Sequence, residues 1–516
     1  MSLVKKFATV ASGTLMSRAL GFGREMLMAA ALGTGPVADA FNAAFVPLFA
    51  KEIEQHGNEG AKRFSEEVFG VLFSALLALT IAMELAMPLI VRYLVAPGFA
   101  GIPGKFETTV TLATIMFPYL ICMSLAAMMA GMLNSLRRYF AAAIAPAFLN
   151  IILIAVLAYA WYHGLDAHDV GFGLSWGVLA AGIVQLAIVW VAVRHAGISI
   201  GFRRPKLTPN VKRLLILALP AAITGGITQI NQLIGTAIAS AQNSAVSSLA
   251  YADRIYQLPL GVVGVAVAIV LLPELSRALK SGNLIEAANL QNRSVEFTLF
   301  MTLPAAAALW VMSEPIVRLV YERGAFAANH STPIVASILA IFGLGLPAFV
   351  LIKAFTPGYF AREDTRTPMI FAAISVGVNV ATALTLFPSM GAPGIAVASA
   401  IAGWVNAFML LGMLIRRGHW GRDIPLLKRI PRLVLSAAVM ATALYFAEHY
   451  FAARLGSGSP LLVKATTLLG LVAGGAALYF ITAFGTGGAD FSMIRRNVRR
   501  GSAKAAPPVT ERSPDP

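Results

Sequence analysis

The chain has 516 residues, of which 58% are hydrophobic and only 12% charged, with a mean hydropathy of +0.75. A water-soluble protein carries about twice that charge, so the composition excludes a soluble globular fold and any soluble domain large enough for an enzyme active site. The formal net charge of +16 would suit a nucleic-acid partner, but the distribution of the cations reports membrane topology instead.

Apolar runs of about 20 residues, the length of helix that crosses a bilayer core, recur along the chain. Fourteen spans are predicted, over 8–32, 37–54, 66–95, 107–136, 140–162, 170–194, 211–240, 250–276, 289–312, 333–358, 367–387, 391–415, 432–452 and 461–486. The expected fold class is all-α and polytopic, with about 14 transmembrane helices. Residues 1–32 begin basic and continue apolar, as a signal peptide does. Arg18, Arg24 and Glu25 interrupt that run, so an uncleaved first helix is expected. Residues 487–516, rich in Arg, Pro, Ser and Ala, read as a disordered basic cytoplasmic tail. The single cysteine, Cys122, excludes an intramolecular disulfide and reads as a small core residue.

With the N-terminus inside and the loops numbered alternately, thirty of the 40 Lys and Arg fall on the inner side. They include Lys62, Arg63, Arg137, Arg138, the Arg194–Arg213 and Arg416–Arg432 clusters and the tail cations. Outside lie Arg92, Lys105, Arg318, Arg323, Arg454 and Lys464. The positive-inside rule then puts both termini of this multi-pass membrane protein in the cytoplasm.

The chain also repeats itself. At a spacing of 229 residues Pro118 matches Pro347, Arg137 matches Arg366 and Asn150 matches Asn379. At a spacing of 221, Gly173 matches Gly394, Gly182 matches Gly403, Gln185 matches Asn406 and His195 matches Arg416. These pairs relate each span to the one six later, an even offset that keeps orientation and places a pseudo-two-fold along the membrane normal. The expected organisation is an N-terminal lobe at 1–195 with its second span shortened, a C-terminal lobe at 196–416, an added helix pair at 417–486 and the tail at 487–516. Transporters built from parallel repeats hold substrate between the halves and alternate access by rocking them.

Four charged groups lie inside apolar spans: Arg18, Arg24, Asp39 and Arg254. An ionisable group at membrane depth costs about 2.5–3.5 kcal/mol on insertion scales, so it faces a polar cavity or a partner. Ser17 and Arg24 are seven apart on a helix and share a stripe, and Arg18 and Glu25 share the next. An arginine fork grips phosphate oxygens through two parallel hydrogen bonds. Three such arginines point to an anionic ligand within the membrane. The alternative is internal neutralisation, Arg18 by Glu25 and Arg24 by Asp39. Lys353, a lone charge in the tenth span, is a further cavity candidate.

No His/Cys/Asp cluster has metal-ligand spacing, and no P-loop or nucleophile-elbow motif follows a strand. No cofactor or metal is expected, and no catalytic residue. Without an ATPase segment, work comes from the membrane potential or an ion gradient, whose ion the residues do not name.

At these residues the chain resembles the MurJ/MviN family, proposed lipid II flippases of the multidrug/oligosaccharidyl-lipid/polysaccharide exporter superfamily. The marks are Ser17-Arg18 with Gly21-Phe22-x-Arg24, Ala38-Asp39-Ala40-Phe41, Tyr251-Ala252-Asp253-Arg254, Leu272-Pro273-x-Leu275-Ser276, Tyr321-Glu322-Arg323-Gly324 and Arg362-x-Asp364-x-x-Thr367-Pro368. The resemblance implies a fourteen-helix inner-membrane protein that flips lipid II, a polyprenyl-pyrophosphate-linked disaccharide peptide, from the cytoplasmic to the periplasmic leaflet. Arg18, Arg24, Asp39 and Arg254 match the family's cavity positions, and partners in the cell-wall synthesis machinery are implied. Rival readings are a multidrug/cation antiporter of the same superfamily, which would need an acidic rather than cationic cavity, and a flippase for another polyprenyl-linked oligosaccharide. A scaffold or glycan-polymerising enzyme would need an acid/base pair on an outer loop.

Three departures from the family pattern stand out. Glu25 replaces a frequent Asp, and Gln257 stands where some members have an acid. In the second span Phe41-Asn42-Ala43-Ala44-Phe45 runs directly into Val46-Pro47, and about twenty residues with paired arginines are expected to be missing. The remaining Val37–Glu54 barely spans the membrane core.

Overall fold

The computed structural model describes residues 36–489, apart from 101, 103, 137, 324–325, 328–329 and 422. The expected first span, the tail and the residues Ser17, Arg18, Arg24 and Glu25 lie outside the described residues. Every regular element among the described residues is helical. Ten helical stretches are long and apolar enough to cross a membrane. Two more helices, α6 (Pro209–Ala239) and α7 (Ala245–Lys280), have 31 and 36 residues, longer than a bilayer core requires.

The second and third expected spans form one element, α1 (Pro36–Ile90), broken at Gly57, where φ is 64° and ψ −161°. That left-handed φ suits glycine, which has no Cβ to clash. Phe45 and Phe64 lie on opposite sides of Gly57, nineteen residues apart, yet their rings stack with centroids 5.7 Å apart. A straight helix would separate them by about 28 Å. The chain therefore reverses at Gly57, and α1 is an antiparallel hairpin. The expected loop at 55–65 shrinks to this turn, while the reversal between the second and third spans is kept.

The fourth span divides at Pro118 into α2 (Lys105–Met116) and α3 (Tyr119–Ser135), since proline lacks the amide the helix ladder needs. α4 (Tyr139–His163) ends at Gly164, which has φ 63°, and α5 (Ala167–His195) starts under the Asp166 cap. Next come α6 and α7, then α8 (Leu284–Val311), α9 (Ser313–Tyr321), α10 (Thr332–Phe360), α11 (Arg366–Met390) and α12 (Ala392–Arg416). The last are α13 (Ile424–Tyr450), α14 (Ala452–Leu455) and α15 (Leu461–Gly485). Several of these start earlier than the apolar runs suggest, α8 and α13 among them. Asn283 caps α8 by accepting the Glu286 amide at 3.0 Å, and Asp423 caps α13, which carries Lys428, Arg429 and Arg432 within the helix.

The described chain forms two compact units. One takes in the chain through Arg254 together with Met369–Ala402. Its core joins Phe45, Phe49, Phe64 and Val68 of α1 to Met128, Met129 and Met132 of α3, Val189 of α5 and Leu214 of α6. The other takes in Ile255–Pro368 and Gly403 onward. There the buried Tyr359 hydroxyl donates to the Leu410 carbonyl, and Tyr479 donates to the Phe300 carbonyl at 2.9 Å.

Matched positions of the sequence repeat make matched contacts. A Cβ on Gly182 of α5 would meet the Tyr119 ring at 2.5 Å, and one on Gly403 of α12 would meet the Phe349 ring at 3.1 Å. Tyr119 follows Pro118 by one residue, and Phe349 follows Pro347 by two. Likewise Gly173 lies against Val156 and Gly394 against Leu386, partners that coincide to within one residue at the 229 spacing. Each glycine removes bulk where a neighbouring helix passes closely.

Candidate functional site

α7 carries Arg254, the one arginine of the expected site whose side chain is described. The helix closes with Arg277 and Lys280 in its last turn, where cations complement the negative end of the dipole. Gly282, with φ 72°, ends it, and the Asn283 amide returns to the Ala278 carbonyl at 3.0 Å. Pro259 and Pro273 lie within α7, and each leaves a carbonyl one turn earlier without its helical donor. Arg254, Asp253 and Gln257 are half-buried, while Ala252, Ile255 and Tyr256 are buried. The Tyr256 ring packs against Phe342 and Phe349 of α10, with centroids 5.3 and 5.9 Å apart.

Lys353 on α10 is exposed, and its alkyl stem crosses α7 at Gly264. A Cβ there would come within 2.6 Å of the lysine Cδ, so glycine makes the passage for the cation. Asp39 falls in the first turn of α1, and its side chain lies outside the described set, as do Ser17, Arg18, Arg24 and Glu25. Of the expected site, the structure thus positions Arg254 and Lys353.

The Arg362–Thr367 motif forms a tie at the loop between α10 and α11. Asp364 accepts the Thr367 amide at 3.0 Å and a hydrogen bond from Arg417, which also donates to the Thr367 hydroxyl at 3.0 Å. Burial opposes ionisation of Asp364, but the Thr367 and Arg417 hydrogen bonds outweigh it and hold its pKa at about 2. The first half has a related tie of reversed polarity, in which Arg138 donates to the His195 carbonyl at the end of α5 at 2.8 Å. Arg362 donates to the Gly358 carbonyl at 2.6 Å, and burial lowers its pKa. On the other loop side, Glu322 accepts from Arg318 at 3.2 Å and Thr332 at 2.8 Å. Burial acts against its ionisation, but bonds from Ser457, Thr332 and Arg318 prevail and lower its pKa.

Sequence spacing missed the gathering of Asp166, His168 and Asp169, whose ligand atoms lie within 4.8 Å of one another. All three are exposed, and Asp166 already caps α5 by accepting the Asp169 amide at 2.8 Å. This is helix-start chemistry.

The family model for "Lipid II flippase MurJ" matches residues 29–466. A probable lipid II flippase MurJ of Rhizobium meliloti is 72% identical, covering 98% of each chain. That of Rhizobium tropici is 61% identical over 97% of each, and a lipid II flippase MurJ of Burkholderia cenocepacia is 30% identical over 87% of this chain and 91% of its own. The Rhizobium meliloti alignment runs over 525 positions but takes in 98% of these 516 residues, about 506, so about 19 positions have no counterpart here. Among solved structures, a lipid II flippase MurJ in an inward closed conformation matches at TM-score 0.71 and 23% identity, covering 95% of this chain and all of that one. An inward-facing multidrug resistance MATE family transporter matches at TM-score 0.63 and 15% identity, over 81% and 96%. These two share the fold. By family model and by full-length relatives, this polytopic helical chain belongs to the lipid II flippase MurJ family.

Proposed function

We propose that this protein flips lipid II from the cytoplasmic to the periplasmic leaflet of the bacterial inner membrane by alternating access. Its relatives at 72% and 61% identity over nearly the whole chain are named for that activity, and this observation carries the reading. Arg18, Arg24 and Arg254 hold the pyrophosphate, and Asp39 orients them. A phosphate is met by a planar fork of donors, which suits its oxygens better than a point charge does. Ser17, Glu25 and Lys353 complete the lining. The work is translocation, with no covalent bond made or broken, driven by the membrane potential or an ion gradient.

The excess of cations on alternate loops supports cytoplasmic termini. The recurring glycine contacts of α5 and α12 support two six-span lobes, 1–195 and 196–416, with 417–486 as an added pair. Enzymes of cell-wall synthesis, which consume the flipped lipid, are the expected partners.

Rescue of cells depleted of their own lipid II flippase tests the function. Growth supported by this chain and abolished by Arg24→Ala is the expected result. If neither this chain nor a version with the family's second-span stretch restored supports growth, despite normal membrane levels, the proposal fails.

A further inference from the structure

The segment from Ile198 to Thr208, between α5 and α6, has no regular structure but is fastened along α1. Ile198 and Ile200 are buried in the core that α1 shares with α3 and α5. The Gly201 amide donates to Glu66 at 3.2 Å, and the Thr208 hydroxyl donates to Glu67 at 2.9 Å. Between these two ties the chain dips along the second arm of α1. The Arg203 carbonyl lies against Gly70, where any Cβ would overlap it. The Phe202 ring meets Phe73 edge-on, with centroids 5.9 Å apart. Phe73 is six residues beyond Glu67, about 9 Å along the helix, inside an uncharged run from Val68 to Met83. Phe202 therefore stands on the membrane side of Glu67, and it is 63% exposed there.

A second helix marks the same level. Thr208 sets the start of α6 beside Glu67, and Leu215 and Ile216, about 10–12 Å further along, are 48% and 71% exposed. Exposed apolar side chains thus begin at one depth on the linker and on α6, as expected where headgroups give way to acyl chains. Cations gather on the watery side of that depth. Arg203 is drawn back by Glu66 and Glu67, at 3.8 and 3.7 Å, and Glu67 also meets Arg63 at 3.5 Å. Arg204, Lys206, Lys212 and Arg213 are exposed, and none of the four has a side-chain partner among the described residues. An apolar group at the acyl boundary beneath unpaired cations is the pattern of an interfacial anchor, and such cations are attracted to anionic lipid.

We propose that this linker and the start of α6 form a docking surface for anionic phospholipid, with Phe202 in the upper acyl region and Arg204, Lys206, Lys212 and Arg213 around the headgroup phosphates. The acyl chains of a lipid held there run on past Phe202, beside Leu215 and Ile216, into the bilayer. Under the proposed topology this is the cytoplasmic leaflet. Phosphatidylglycerol carries a net negative charge, whereas phosphatidylcholine cancels its phosphate with its own ammonium, so the four cations favour the first. The segment joins the two proposed lobes, and a lipid bound here grips the connection between them. The surface is separate from the proposed pyrophosphate clamp and does not depend on what the protein transports.

Full-length Phe202→Trp, reconstituted in vesicles, tests depth and headgroup together. A lipid brominated on its acyl chains quenches a tryptophan that it touches, and the parent protein with its six native tryptophans supplies the background. The added fluorescence should be quenched. Brominated phosphatidylglycerol in phosphatidylcholine should show at least tenfold the relative affinity of brominated phosphatidylcholine in phosphatidylglycerol. Each cation near an anionic surface is worth about fivefold, so adding Arg204→Gln and Lys206→Gln should lower that preference at least fivefold. Both side chains are exposed and unpaired, and neither change touches the core. A tryptophan at position 202 that neither lipid quenches stands in water or against a soluble partner, which overturns the proposal. Equal relative affinities for the two lipids, or a preference that survives the two glutamine substitutions, overturns it as well.

Discussion

Arg429 on α13 donates to Glu296 on α8, a carboxylate only 2% exposed that Arg293 also holds at 2.7 Å. Arg429 ties α13 to α8 through this buried acid, while Arg293, on α8 itself, shares its charge. Breaking a buried pair by removing one partner costs about 3–5 kcal/mol, because the remaining charge stays buried, whereas replacing both partners with apolar groups is often neutral. Glu296→Ala should therefore lower the unfolding midpoint sharply. Glu296→Leu with Arg429→Met should recover most of the loss. A double variant no better than the single one would mean that the pair does more than neutralise itself.

The tie between Asp364 and Arg417 predicts an acid dependence. The carboxyl titrates at about 2 in the folded protein, below the value of about 3.9 expected in an unfolded chain. A lowered folded pKa gives stability that is fully present above the unfolded value and is lost as pH falls from about 4 through about 2. Asp364→Asn should lower stability at pH 7 and flatten the pH dependence in that window. Arg417 is 38% exposed and the carboxylate 22%, so solvent screening keeps the effect modest. Denaturant unfolding at pH 6 and pH 2.5 measures it.

How far such contacts are legible in sequence depends on what encodes them. Runs of about 20 apolar residues reveal the spans because each helix must satisfy its own backbone in lipid. Lys428, Arg429 and Arg432 instead look like a solvated loop, and only the distant Glu296 shows that they belong to α13. The polar stretch from Glu52 to Arg63 likewise reads as a loop, although a single glycine makes the turn. The charge of Arg254 at membrane depth is visible in sequence. Lys353's passage over Gly264 is not, because 89 residues separate them and any glycine in a membrane helix looks alike.

The reversal at Gly57 can be tested by substitution. Gly57→Ala forces a Cβ into a left-handed residue, at a cost of about 1–2 kcal/mol, although nothing lies within 4 Å of that position to clash. Phe64→Ala removes a side chain 2% exposed and should cost about 3–5 kcal/mol. If the two arms of α1 were not packed together, Phe64→Ala would behave as a mild surface change in a thermal unfolding assay.

The repeated glycine contacts predict a graded pair. A methyl at Gly182 would stand 2.5 Å from the Tyr119 ring, while one at Gly403 would stand 3.1 Å from Phe349. Overpacking a tight core costs about 1–3 kcal/mol, so Gly182→Ala should destabilise more than Gly403→Ala. Tyr119→Leu should relieve the first and leave the second unchanged. Equal effects, or rescue of both by Tyr119→Leu, would show that the two contacts are not the local packings described.

The proposed pyrophosphate clamp makes its sharpest prediction at Arg254, whose side chain is half-buried on α7. A fork that grips two oxygens cannot be replaced by an ammonium, even though the charge is the same. Charge alone would leave Arg254→Lys close to the parent and Arg254→Ala inactive. Bidentate binding instead makes Arg254→Lys lose most of the activity, and one lost charge-assisted hydrogen bond, at about 1.5–3 kcal/mol, corresponds to about 10- to 150-fold. Lipid II appearing in the outer leaflet of proteoliposomes under an imposed membrane potential provides the readout. Thermal unfolding in parallel separates loss of transport from loss of fold. If Arg254→Lys retains full transport, the arginine supplies a field and the fork geometry is irrelevant. If Arg254→Ala does too, this position does not touch the anion.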